Sequence, residues 1–131
     1  VRHNRRSAPL STHLAYLRRD GVTRDGDPGR MFDANGVDVD ARAFATRCED
    51  DRHHFRFIVS PEDAAELSDL QSFTRNLMET AASDLGTELD WIAVDHWNTA
   101  HPHVHVLVRG RTDSGEDLVI VEPGAALRIW F

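Results

Sequence analysis

A chain of 131 residues, 40% hydrophobic and 28% charged, has the size and composition of one globular domain with its own core. It holds no apolar run near the roughly 18 residues of a membrane span and no signal-peptide pattern, so neither a membrane partner nor secretion is expected. Its net charge of −7 argues against a generic nucleic-acid coat, and its one cysteine, Cys48, cannot form an internal disulfide and fits a reducing cytoplasm.

In chain order, Val1-Arg2-His3 reads as the tail of a strand already in progress, and Val1 is not a start methionine, so the chain reads as an excerpt. Ser11 or Thr12 can cap a short helix through about Arg19, with Gly21 as its stop and Leu10, Leu14 and Leu17 as its apolar stripe. Tyr16 lies off that stripe. Residues 20–40 are rich in turn signals (Asp20-Gly21, Asp25-Gly26, Pro28-Gly29, Asn35-Gly36), with a brief strand at Arg30-Met31-Phe32. A short helix over Ala41–Cys48 carries Phe44.

Residues His53–Ser60 alternate: His53, Phe55, Phe57 and Val59 point one way, His54, Arg56, Ile58 and Ser60 the other. Ser60-Pro61-Glu62-Asp63 reads as a helix start, a cap followed by proline and acids in the first turn. The spacing of Leu67, Leu70, Phe73 or Thr74, Leu77, Met78, Ala81 and Leu85 predicts a helix to about Leu85, ended by Gly86. Strands are expected at about 90–96, 103–109 and 117–121, the last two joined through Thr112-Asp113-Ser114-Gly115. The order predicts an α+β domain: an antiparallel sheet of about five strands with helices packed on one side. The tail 122–131 ends on Leu127, Ile129, Trp130 and Phe131, an apolar patch that must be covered unless it is a truncation scar.

The chemistry concentrates at residues 96–105, which hold four of the eight histidines. His103 and His105 are two apart in the run Val104, Val106, Leu107, Val108, so on a strand they share a face. His96 ends the run Trp91-Ile92-Ala93-Val94. A hairpin across residues 97–102 returns it beside them. One histidine on a strand is usually a satisfied polar residue, and an HxH pair alone is common by chance. The pattern H-x6-H-x-H, with Pro102 leading into the second strand, points to a metal site of three imidazoles with an open position. His101 reads as a loop residue touching substrate rather than a fourth ligand. Asp95 is expected to face away from His96. Cys48, with no CxxC partner, reads as inert.

Charge is distributed unevenly. Residues 1–30 carry seven arginines against three aspartates, whereas residues 31–131 carry eight arginines against nineteen acids, and the chain has no lysine. A local phosphate-binding surface at the N-terminal end is one reading; a solvated charged face is the other.

Three blocks, STHLAYLRRDGV from Ser11 to Val22, RHHFRFIVSPED from Arg52 to Asp63 and DHWNTAHPHVH from Asp95 to His105, together resemble mobilisation relaxases of the HUH endonuclease superfamily. More narrowly they resemble the agrobacterial T-DNA border-nicking type and the relaxases of proteobacterial integrative elements. The resemblance runs to about Val121, with the blocks in the family's order. It implies a single HUH-type, ferredoxin-like relaxase domain over residues 1–131, truncated at one or both ends. It also implies Tyr16 as nucleophile and His96, His103 and His105 as ligands of one divalent ion, manganese or magnesium, with zinc, nickel or cobalt as substitutes. Asn98 stands where the wider class often has an acid and is not assigned to the metal.

The implied activity is site- and strand-specific nicking and rejoining of single-stranded DNA at a transfer origin through a 5′-phosphotyrosine. Relaxosome accessory proteins and a coupling protein would be partners in a bacterial cytoplasm. Arg18, Arg19, Arg56 and His101 would contact DNA. The general base stays open among His13, a nearby carboxylate and water. Without the family, Tyr16 would read as a packing residue and Arg56 as a solvated strand residue. Two other functions fit parts of the pattern: a non-catalytic DNA-binding or assembly fragment of a relaxase, and an unrelated histidine-ligated metal enzyme such as a cupin-like oxygenase. The second needs more strands than this chain offers and has no use for Tyr16.

Overall fold

The computed structural model describes residues 2–3, 10–19, 29–64, 69–97 and 100–120. The turn signals at 20–28, Leu67, Asn98 and the 122–131 tail lie outside the described residues. In chain order the elements are β1 (Arg2–His3), α1 (Leu10–Leu17), α2 (Ala41–Arg47), β2 (His54–Val59), α3 (Leu70–Leu85), β3 (Trp91–His96) and β4 (His103–Arg109).

The strands form one antiparallel sheet in the order β1-β2-β4-β3. Both β2 and β3 run antiparallel to β4, so they are parallel to each other with β4 between them, and α3 makes the crossover. This is a split β-α-β unit. Among the described residues the sheet has four strands, one of two residues, rather than about five. The segment expected as a strand at 117–121 makes a single bridge, Arg111 to Asp117. Leu118 then returns its N–H to the Gly110 carbonyl at 2.9 Å and buries its side chain, which ends the ladder. Likewise the brief strand expected at 30–32 reduces to Phe32, which exchanges two 2.9 Å hydrogen bonds with Ala93.

Helices cover both faces of the sheet, not one. Phe55, Phe57 and Val59 of β2, Val104, Val106 and Val108 of β4, and Trp91 and Ala93 of β3 pack with α3 through Leu70, Met78 and Ala81. The opposite face carries Ile92, Val94 and Leu107, which α1 covers with Leu14 and Leu17 and α2 with Phe44. Because β3 and β4 are apolar on alternate residues of both faces, each face must be covered.

The long helix starts later than the sequence suggests. Among the described residues that follow Pro61, Ala64 donates its N–H to the Pro61 carbonyl at 3.1 Å, and Asp69 is not helical. Asp69 is the cap of α3: its carboxylate accepts from the Ser72 N–H at 3.0 Å and from the Ser72 hydroxyl at 2.7 Å. Thr74, not Phe73, takes the buried position, donating its hydroxyl to the Leu70 carbonyl at 2.8 Å. Gly86, at φ +73°, ends the helix as expected.

Candidate metal centre

The β3–β4 register places His96 directly opposite His103, and Val94 opposite His105. Side chains on alternate residues of a strand share a face, so all three imidazoles stand on the α1 side of the sheet. One potential ligand atom from each lies within 4.8 Å of the others, and this trio is the group of metal-ligating side chains found among the described residues. His96 is buried and the other two are half-buried. The hairpin inferred from the sequence thus brings the three residues together.

Their hydrogen bonds settle which nitrogens are available. His96 Nε2 lies 2.8 Å from the Leu17 carbonyl, and a carbonyl only accepts, so Nε2 carries the proton and Nδ1 keeps its lone pair. By the same argument His103 Nδ1 donates to the His101 carbonyl at 2.9 Å, leaving Nε2 as a lone pair. His103 Nε2 and His105 Nε2 are 3.2 Å apart. Two imidazole nitrogens bound to one tetrahedral ion at ~2.0–2.1 Å would be separated by about 3.3–3.4 Å. Ligating histidines commonly tie their second nitrogen to a backbone carbonyl in this way, which fixes tautomer and ring orientation.

Electrostatics favour neutral ligands. Burial pushes His105 down to about 3, reinforced by His96 and His103 beside it. Burial also lowers His96, against the opposing hydrogen bond to Leu17. Uncharged rings are the form that binds a cation. Among the described residues no thiolate or carboxylate completes the trio, so an ion bound by these three would keep positions for substrate oxygen. Asp95 faces the other way, as expected, accepting from Trp97 Nε1 at 2.6 Å and Gln71 Nε2 at 3.4 Å. The donor set therefore fits a divalent ion.

The helix bearing Tyr16 is seated at the rim of this trio, because Leu17, whose carbonyl holds His96, is the next residue. Tyr16 itself is 61% exposed and off the leucine stripe, and the Arg19 guanidinium lies 4.7 Å from its ring centroid. Arg18 and Arg19 are exposed beyond the helix end, where Arg18 Nε reaches the Gly29 carbonyl at 3.4 Å. His101 is exposed in the hairpin loop. Arg56 is half-buried in β2 opposite Leu107, on the histidine face, and its Nε lies 3.4 Å from His54 Nε2.

Two features of this face escaped the sequence. His54 is a buried imidazole pushed down to about 4, by burial first and then by Arg56 and His13. The alternation of β2 put it on this face, and that was the only available signal. The Leu17 carbonyl is a backbone group, and side-chain patterns do not report it. At Cys48 burial, then Asp51 and Asp90, push the thiol up to about 12, which disfavours the thiolate. No helix among the described residues is long and apolar enough to cross a membrane. Comparison with protein families, with characterised proteins and with solved structures found no match to this chain.

Proposed function

We propose that this chain nicks and rejoins single-stranded DNA at a transfer origin in conjugative mobilisation, as the HUH relaxases it resembles do, with Tyr16 as the nucleophile. The observation that carries the reading is the meeting of His96, His103 and His105 at one point, with the C-terminal end of α1 bonded to that trio through Leu17. The split β-α-β unit is compatible with an HUH, ferredoxin-like domain.

A divalent ion, manganese or magnesium in the cell, held by the three imidazoles supplies a Lewis acid that offsets the charge of a phosphodiester. The chain's own groups do the rest. The phenol loses its proton to a base, and Tyr16 Oη attacks phosphorus in line. The bond from phosphorus to the 3′-oxygen breaks, that oxygen takes up a proton, and the phosphate remains on Tyr16 as a 5′-phosphotyrosine. Return attack by the 3′-hydroxyl rejoins the strand and frees the phenol. The exposure of Tyr16 leaves its ring accessible to a macromolecular substrate. Arg18, Arg19, Arg56 and His101 bind flanking phosphates. Relaxosome accessory proteins and a coupling protein would act with it in the bacterial cytoplasm.

The test uses single-stranded oligonucleotides spanning the cognate transfer origin, with manganese or magnesium added or withheld. The wild type should form an adduct that survives denaturing electrophoresis and carries the 5′ side of the break. Tyr16→Phe keeps the ring and should bind the oligonucleotide without forming an adduct. Adduct formation by Tyr16→Phe would show that the nucleophile lies elsewhere. DNA binding without nicking by the wild type would point to a non-catalytic fragment, and metal-dependent chemistry without DNA binding to a different metal enzyme.

A further inference from the structure

The two histidines anchored on backbone carbonyls are not equivalent. His103 bonds to His101, two positions away in its own hairpin, whereas His96 bonds to Leu17, 79 positions away and the last residue of α1. That helix has 8 residues and no acidic residue in its first turn. Helices so short are marginal on their own and depend on what they pack against. Here the packing is Leu14 and Leu17 against the sheet, and the Leu17 carbonyl belongs to the final turn, where carbonyls lack helical partners. Among the described residues the His96 Nε2–H is the group that satisfies it.

We propose that the Leu17 carbonyl is a positioning group: an ion bound at the three histidines is coupled through the His96 ring to the seating of the last turn of α1. A cation on Nδ1 withdraws density from the ring and makes Nε2–H a stronger donor, and it also fixes the ring's orientation. Both effects tighten the bond to Leu17. The residue before Leu17 is Tyr16, so loading the site and placing the nucleophile become one event. The coupling is reciprocal: a loosened α1 must weaken ion binding by the same factor. The inference rests on the metal-site reading of the previous subsections.

The test measures amide hydrogen exchange over residues 10–19 of the whole chain, with manganese or zinc chloride as the added probe and binding followed by calorimetry in the same samples. In the wild type the ion should slow exchange in the last turn of α1 on the order of tenfold, without changing β2. His96→Asn leaves an amide oxygen near the place of Nδ1 and nothing at Nε2. It should bind the ion more weakly and show no protection of α1 at saturation. Leu14→Ala, which loosens α1 away from the histidines, should weaken ion binding several-fold by reciprocity. Wild-type binding with no change in α1 exchange overturns the coupling and leaves the metal site standing. So does protection of α1 in saturated His96→Asn, or an unaltered affinity in Leu14→Ala. Failure of the wild type to bind either ion removes the site and the coupling together.

Discussion

At the scale of single residues, burial lowers the pKa of three imidazoles on the histidine face, His54, His96 and His105. His54 has Arg56, His13 and His53 around it, all disfavouring its charge, with Asp51 as the opposing influence. Its folded pKa of about 4 lies below the unfolded value of ~6.5, so between those values the unfolded chain binds more protons than the folded one. The stability that neutral His54 contributes is complete above pH ~6.5 and is lost as pH falls through about 4. His54→Gln has no proton to take up in that window. Urea midpoints measured at pH 7 and pH 5 without metal should therefore fall less for His54→Gln than for the wild type. Equal falls would mean that His54 is not held neutral. Elsewhere the buried charge is paired: Asp51 receives Arg109 Nε at 2.7 Å and Arg111 Nε at 3.0 Å, which ties the end of β4 to the segment after α2.

At the scale of elements, the hairpin matters most, and it was legible because two independent signals agree there. The alternation in Val104, Val106 and Val108 sets the faces of β4, and the strand lengths set His96 opposite His103. The period of the leucines in α1 also placed Tyr16 outside the core. What the sequence misplaced has separate physical causes. Ser60-Pro61 and Asp69 are both competent caps, and local propensity cannot say that α3 opens at the second. The double-sided sheet was missed because Ile92, Val94 and Leu107 alternate with residues that are themselves apolar, which hides the period of 2. The strand expected near 117 fails for a tertiary reason. Leu118 donates its N–H to the Gly110 carbonyl at 2.9 Å, and its own carbonyl meets His53 Nε2 at 2.9 Å. Gly110 is required at this junction, because a Cβ there would collide with the His53 backbone carbonyl. Gly110→Ala should cost about 2–4 kcal/mol in urea unfolding, by forcing β2 and β4 apart at their ends. A loss below about 0.5 kcal/mol would show that this junction yields freely.

For the whole molecule, the charge imbalance sets the terms of any encounter with DNA. A chain of net charge −7 can hold a polyanion only where arginines are concentrated, and Arg18 and Arg19 are exposed directly after Leu17, whose carbonyl is bonded to His96. Each phosphate contact on a single strand contributes ~0.7 to the slope of log affinity against log salt. Arg18→Ala combined with Arg19→Ala should therefore flatten that slope by about 1.4, and an unchanged slope would move the DNA path to another surface. The placement of these arginines, the exposure of Tyr16 and the seating of α1 all take their meaning from one claim, that His96, His103 and His105 share a single ion. Calorimetric titration of manganese or zinc into the wild type and His103→Ala tests it most directly. A shared ion requires one ion per chain in the wild type and a loss of at least about a hundredfold in affinity in the variant, as expected for removing one of three ligands. Equal affinity in the two proteins would contradict it.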